Sequence, residues 1–570
     1  MSSITRSRPP SPPGETTGKD VPGDAGAPGR PRWRVVAARV ATGFACLLVL
    51  FALNAPNQIG HLTPWAFARV PLEGLLGVAL VLVLPPRPRR VVAALAGAVL
   101  ALLTLVKIAD LGFDAVLRRP FDVLLDWAFL GNAVDFLTAS FGRAGGIGAI
   151  VAFAGLVAGF LVLITLSVTR LARVAARHRA PATGALGTLG TAWVACVLLG
   201  VQIGPDVPAA ALVHDHARQV AAGLRDQRAF AAQIRVDAFR DTPGQDLLTA
   251  LRGKDVIVSF IESYGRDAVE DPEFAPQVDA VLDAGTRRLR AAGFGSRSAF
   301  LTSPTYGGGS WLAHATLLSG LWVNNQQRHG TLIESDRPTL PGLFRRAGWQ
   351  TVAVMPGNTK AWPEGAFYGY DRVYDSHNLG YRGPGFNWGT MPDQYTLSAF
   401  QRLERGKPGH APMMAEIPLV SSHAPWAPIP SLTDWKTIGD GTVFGPIAAA
   451  GESPDAVWRD ASRVRTEYRR SIEYTLSTLI SYVETYGDDD LVLVFLGDHQ
   501  PAPIVTGEGA SRDVPITIIA RDPAVLDRIS GWGWQDGLKP GPKAPVWRMD
   551  TFRDRFLTAF GPHPAEPSRP

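Results

Sequence analysis

The apolar residues of this chain crowd into its first third, and that partition constrains the fold more than any single motif. Stretches at 35–53, 72–84 (extendable backward through Ala66), 91–111, 147–168 and 185–201 each have the length and composition to cross a bilayer, or nearly so. Five crossings are therefore expected. Arg30, Arg32 and Arg34 precede the first, Arg87, Arg89 and Arg90 separate the second from the third, and Arg170, Arg173, Arg177 and Arg179 follow the fourth. Basic clusters mark the cytoplasmic side, so the amino terminus is expected in the cytoplasm and everything beyond about residue 202 on the outer face. Arg118, Arg119 and Arg143 run against that assignment. The segment 121–141 is apolar but carries Asp122, Asp126 and Asp135, which are costly in lipid, and reads as an interfacial or re-entrant helix rather than a sixth span.

The expected organisation is a disordered cytoplasmic tail at 1–34, a transmembrane domain at 35–202, an amphipathic helical linker at 203–252, an α/β domain at 253–560 and a disordered tail at 561–570. The first span lacks a small-residue cleavage site after it, so no removable signal peptide is expected. Both cysteines, Cys46 and Cys196, lie in apolar spans, which excludes a disulfide framework or a thiolate metal cluster. With a formal charge of only +5 and the basic clusters at span ends, no nucleic-acid surface is expected.

Beyond residue 255 the rhythm is strand, loop and helix: strands at 256–261, 351–355 and 491–496, helices at 339–347 and 465–486. This alternation predicts a mostly parallel sheet covered by helices on both sides. Strands of such a sheet deliver functional groups at their carboxyl ends. The first ends at Glu262, and the run 491–496 ends at Gly497-Asp498-His499. Either carboxylate alone reads as a helix cap, but Asp-His supplies adjacent oxygen and nitrogen ligands for a divalent ion. Mixed ligation favours Mn²⁺, with Mg²⁺ and Zn²⁺ as alternatives.

The turn Ser303-Pro304-Thr305-Tyr306-Gly307-Gly308-Gly309-Ser310 supplies hydroxyls on a glycine-rich backbone. A helix starting near Ser310 would aim its amino end at an anionic reacting group, which favours Ser310 as nucleophile and leaves Thr305 as the alternative. Ser310 is also a candidate metal ligand beside Glu262, Asp498 and His499. His423 follows the apolar run 417–420 and is placed to donate to a phosphoryl oxygen or to protonate a leaving alkoxide. His314, one turn beyond Ser310, faces the same cleft if the helix forms. Trp426, Trp388, Trp532 and Trp534 are candidate aromatic surfaces for a glycan or lipid.

Ile261-Glu262-Ser263, Gly308-Gly309-Ser310, Tyr368-Gly369-Tyr370-Asp371, Ser422-His423 with Pro425, and Gly497-Asp498-His499 together resemble motifs of the alkaline phosphatase and sulfatase superfamily. The chain is most similar to its membrane-anchored branch, the lipoteichoic acid synthases and related phosphoglycerol or phosphoethanolamine transferases. The resemblance implies an α/β alkaline-phosphatase/sulfatase-like extracytoplasmic domain on a multi-span helical anchor in a bacterial-type cell (inner) membrane. It further implies a metal-dependent transferase moving a phosphoglycerol or phosphoethanolamine group from a membrane phospholipid donor to an envelope glycan, lipid or polymer acceptor. Sulfuric ester hydrolysis, phosphodiesterase activity and a non-catalytic envelope scaffold are the alternatives. The echo of a sulfatase pattern in Ala315-Thr316-Leu317-Leu318-Ser319-Gly320 also points back to Ser310, but Trp311 to His314 lack the proline and arginine that direct formylglycine formation. Near Trp362 the synthases carry an arginine that grips glycerolphosphate, whereas Glu364 stands at the matching place here, and Pro356 replaces a histidine. Lys360, Arg372 or Arg382 would then have to supply the missing positive charge, or an amine-bearing head group would pair with Glu364. Trp362, Glu364, Lys360, His314 and Trp426 are the expected substrate-binding residues.

Overall fold

The computed structural model describes residues 32–117, 119–123, 126–199, 209–386 and 389–562. The expected amino-terminal tail (apart from 32–34) and nearly all of the carboxyl tail lie outside them, as do Arg118 and Trp388 and the side chain of Asp135. Helices α1 (Arg32–Asn54), α2 (Leu72–Val83), α3 (Pro86–Leu117), α4 (Trp127–Arg177) and α5 (Arg179–Leu198) form the first part of the chain. Five stretches of it, Arg32–Asn54, Pro64–Val83, Pro86–Leu117, Gly142–Arg177 and Arg179–Leu198, are long and apolar enough to span a membrane. The chain is a multi-pass membrane protein with a large domain outside the bilayer. α3 and α4 pack closely at Gly97, where a Cβ would sit 2.8 Å from Cα of Thr165, a small-residue approach typical of helices in lipid.

The segment 127–141 does not continue α4 as a straight rod. Gly142 has φ 73° and ψ 173°, and a Cβ on Gly146 would fall 2.2 Å from Oγ1 of Thr138, so the chain folds back on itself there. Before it, Asp126 is buried and paired with Arg119. Burial of an acid against a guanidinium explains how this Asp-bearing stretch sits beside the bundle.

Helix α6 (Ala209–Arg235) joins the two parts. Its Gln219 donates to Asp122 (3.1 Å), and its Phe230 and Ile234 are buried in the outer domain with Leu247, Leu248 and Leu251. The second half of the expected linker is thus core of the outer domain.

That domain is built on one sheet in the order β4-β3-β5-β1-β6-β7-β2-β8, with β9 also pairing β2. The strands are β1 (Asp255–Ile261), β2 (Gly295–Thr302), β3 (Gln350–Met355), β4 (Arg372–Asp375), β5 (Met413–Glu416), β6 (Leu491–Gly497), β7 (Asp513–Ala520), β8 (Gln535–Asp536) and β9 (Val546–Arg548). The run from β4 to β6 is parallel, and β7 enters antiparallel between β6 and β2. β1 and β6 are buried along their whole length, which is why their sequences are mostly apolar, broken in β1 only by Asp255 and Ser259, rather than alternating. Residues of β1 still alternate between faces: Ile257 and Ile261 join one core layer, Val256, Val258 and Phe260 the other. The first layer is closed by the helix Ala461–Tyr486, the second by Ser310–Ser319 and Phe552–Phe560.

Candidate active site

Because β1 and β6 are parallel neighbours with Ile261 opposite Gly497, the next residue of each, Glu262 and Asp498, emerges at the same sheet edge. Gly497 is required there, since a Cβ would lie 1.8 Å from the Tyr264 carbonyl oxygen. His499 follows directly. The Ser303 hydroxyl donates to the Asp498 carbonyl (2.6 Å), tying the glycine-rich turn to the same edge. Gly307, Gly308 and Gly309 all have positive φ, and the helix Ser310–Ser319 starts immediately after them.

The Ser310 hydroxyl donates to Glu262 Oε2 (2.8 Å) and lies 3.2 Å from His499 Nε2. His499 Nε2 is also 3.2 Å from Glu262 Oε1 and 3.8 Å from Asp498 Oδ2. Ser263 secures both acids: its backbone N–H donates to Asp498 Oδ1 (2.8 Å) and its hydroxyl to Glu262 Oε1 (3.0 Å). His499 donates from Nδ1 to the Gln500 carbonyl (2.8 Å), which fixes the ring and turns Nε2 toward the acids.

Burial works against charge on all three groups. Burial would raise the Glu262 carboxyl, but the adjacent His499 outweighs it and holds Glu262 well below the usual carboxylate range. Asp498, buried and beside the Glu262 charge, is pushed up to about 7. His499 is drawn down by burial and more strongly up by Asp498 and Glu262, reaching about 9. Two enclosed carboxylates served by one imidazole make a centre short of positive charge.

A divalent cation fits this donor set. Glu262, Asp498 and His499 are buried and offer ligand atoms all within 4.8 Å of one another. Ser310 Oγ adjoins them, and the outward hydrogen bond of His499 Nδ1 is the orientation a metal-binding histidine needs.

These residues open on a cleft of about 530 Å³ lined also by His314, Trp362, Glu364, His423 and Trp426. His423 has Nδ1 2.5 Å from the Ala424 carbonyl oxygen. His314 stacks on Phe260 (3.8 Å between ring centroids) with Nδ1 3.0 Å from Glu416 Oε1. Trp426 is largely buried, donates to the Ser422 carbonyl and stacks on Trp458, so only an edge of it serves the cleft. Thr305 is buried in the turn with its hydroxyl unpartnered. Lys360 is exposed and does not line the cleft; Arg372 is committed to Glu404 (2.8 Å). Trp532 and Trp534 pack with Trp547 in an aromatic cluster inside the domain, away from the cleft lining.

Sequence reasoning missed Ser263, Glu416 and His329. Glu416 ends β5 as Glu262 follows β1, so the same strand-end rule would have found it. It is buried, accepts from the Tyr370 hydroxyl and lines the cleft with Glu364. His329, beside them, is lowered to about 4 by burial despite Glu364, and so is neutral.

Residues 254–512 match the family model described as Sulfatase. No curated protein sequence matches the chain. Among solved structures, the lipoteichoic acid synthase LtaP from Listeria monocytogenes is similar at 16% identity and TM-score 0.36, over 59% of this chain and 80% of that one. The Streptococcus pyogenes phosphoglycerol transferase GacH, in complex with sn-glycerol-1-phosphate, aligns at 14% identity and TM-score 0.34, over 60% and 91%. The soluble domain of lipooligosaccharide phosphoethanolamine transferase A from Neisseria meningitidis aligns at 12% and 0.35, over 54% and 88%. The α/β domain of this membrane protein is thus a Sulfatase-type domain over residues 254–512.

Proposed function

We propose that the protein is a metal-dependent transferase that moves a phosphoglycerol or phosphoethanolamine group from a membrane phospholipid to an envelope acceptor through a serine-linked intermediate. The observation that carries this reading is the position of Ser310: its hydroxyl is hydrogen-bonded to Glu262 and in contact with His499. Glu262, Asp498, His499 and Ser310 would hold the ion, Mn²⁺ by its tolerance of mixed oxygen and imidazole ligands. When bound, it lowers the pKa of the serine hydroxyl and neutralises charge on the phosphoryl oxygens.

The residues divide the work. Ser310 gives its proton to Glu262 Oε2, to which it is hydrogen-bonded, leaving an Oγ lone pair toward the phosphorus. As the Oγ–P bond forms and the bond to diacylglycerol breaks, the His423 ring delivers a proton to the departing oxygen. An acceptor hydroxyl then attacks the phosphorus and gives its proton to the His423 ring, while the Oγ–P bond breaks and Ser310 takes back its proton from Glu262. Attack by water instead would make the same site a phosphodiesterase.

Between the two head groups, the cleft favours ethanolamine. Glu364 and Glu416 lie beside Trp362 and Tyr368, whose rings stack 5.6 Å apart, and carboxylates with aromatic faces suit an ammonium. The basic clusters support a cytoplasmic amino terminus and an extracytoplasmic catalytic domain in a bacterial-type cell membrane. α3 agrees, because its arginine-bearing start and its contact with the outer domain are at opposite ends.

The test is mass mapping of the 305–321 peptide after full-length protein is supplied with Mn²⁺ and a bacterial lipid extract. A phosphoethanolamine or phosphoglycerol adduct on Ser310 is expected, lost in Ser310→Ala together with ~10³-fold or more of turnover. Bound metal with no adduct and no turnover on a broad ester panel would indicate a scaffold instead.

A further inference from the structure

A second, smaller cavity adjoins the glycine-rich turn at the end of α3 and shares Gly308, Gly309, Trp311 and Gln326 with the cleft. It is lined by Leu117, the last residue of that helix, and by Arg119, Thr305, Gly308, Gly309 and Arg512 among others. Its volume of about 40 Å³ gives room for roughly three waters, the size of a tetrahedral oxyanion.

Its lining is rich in donors. Arg119 is neutralised by Asp126, both Nη atoms donating at 2.6 Å. Arg512 donates to the Pro304 carbonyl (2.9 Å), and among the described residues no carboxylate pairs with it. Burial and the Arg119 charge both push its guanidinium below the ordinary value, so it is a partly buried cation beside a second cation. Thr305 has a buried hydroxyl with no partner. Gln326 spends its carbonyl oxygen on Trp311 Nε1 (3.0 Å), which leaves its NH₂ end as a donor. A half-buried charge without a counter-ion is costly unless an anion supplies one.

We propose that this cavity binds a phosphate group, distinct from the one that reacts at Ser310, presented at the surface of the membrane. Its place fits that source, because the phosphates of lipid head groups gather at the end of a spanning helix. Arg512 supplies the net charge, Arg119 and the turn amides of Gly308 and Gly309 surround the oxygens, and the site stands whether or not Ser310 is a nucleophile.

The test uses full-length protein in detergent carrying Glu262→Ala and His499→Ala, so that the cleft cannot hold phosphate through a metal. It is titrated with inorganic phosphate and, separately, with short-chain phosphatidylglycerol. Saturable binding is expected, weakened tenfold or more by Arg512→Gln and restored by Arg512→Lys. Binding of phosphatidylglycerol alone assigns the site to a lipid head group; binding of both assigns it to the phosphate itself. No saturable binding of either probe, or equal affinity in Arg512→Gln, overturns the proposal. Should Arg512→Gln fail to fold, a cryo-EM map of unsubstituted protein in phosphatidylglycerol nanodiscs decides: phosphate-sized density between the two guanidinium groups is expected, and its absence overturns the site.

Discussion

Ser263 is held at φ 58°, a conformation that a residue with a Cβ adopts at a cost of about 1 kcal/mol. The return is geometric: from that position its N–H reaches Asp498 while its hydroxyl reaches Glu262. Ser263→Ala is expected to weaken divalent-metal affinity by about tenfold to a hundredfold with little loss of fold. Calorimetric titration with Mn²⁺ checks this, and unchanged affinity would mean that Glu262 is oriented by other groups. Glu262, Asp498 and His499 were legible because each follows its strand in sequence. Ser263 was not, because its role is set by a backbone angle that residue type does not encode.

At the scale of elements, Asp255 gathers the start of β1 to the segment entering β5. It accepts from Arg405 Nε (3.1 Å) and the Met413 N–H (3.2 Å), and lies 2.9 Å from His410 Nε2. His410 loses by burial but gains more from Asp255, so its pKa is raised. A raised folded-state pKa contributes stability below the unfolded value of ~6.5, and that contribution fades as pH rises through the folded value. His410→Gln should therefore lower the melting temperature at pH 6 and have little effect at pH 9. The pair is partly exposed and contributes at most about 1 kcal/mol. Equal effects at both pH values would refute the linkage. The strands themselves were readable as apolar runs between turns. Their order was not, because the pairing of β5 with β1 joins segments about 158 residues apart.

Across the whole molecule, the linker and the last helix are joined by charge. Asp237, fully buried, pairs with Arg553 (2.6 Å) and Arg337 (3.0 Å). Nothing local in the sequence announces this triad, since its members come from three distant segments. Asp237→Ala would leave the buried Arg337 without its ion pair and Arg553 with Asp554 alone, and should cost about 3 kcal/mol. A thermal melt of the outer domain in detergent measures it, and a loss below 1 kcal/mol would mean that water reaches both arginines.

The seam between the two parts is equally tight. Gly307 has φ 70°, and a Cβ there would fall 2.0 Å from the Val116 carbonyl oxygen in the last turn of α3. Gly307→Ala should therefore reduce turnover of lipid in bilayers at least tenfold while leaving the sheet intact by circular dichroism. Full activity would show that the turn does not need this contact. With the turn resting directly on a spanning helix, the Ser310 hydroxyl is kept at a set height above the lipid surface, as a tool is fixed to a bench. Under the proposed transfer reaction, a donor anchored by its acyl chains would always stay within the working plane, whereas an acceptor would have to be long or pliant enough to bend down to it. An envelope acceptor in that reaction would thus be selected by its reach as well as by its chemistry.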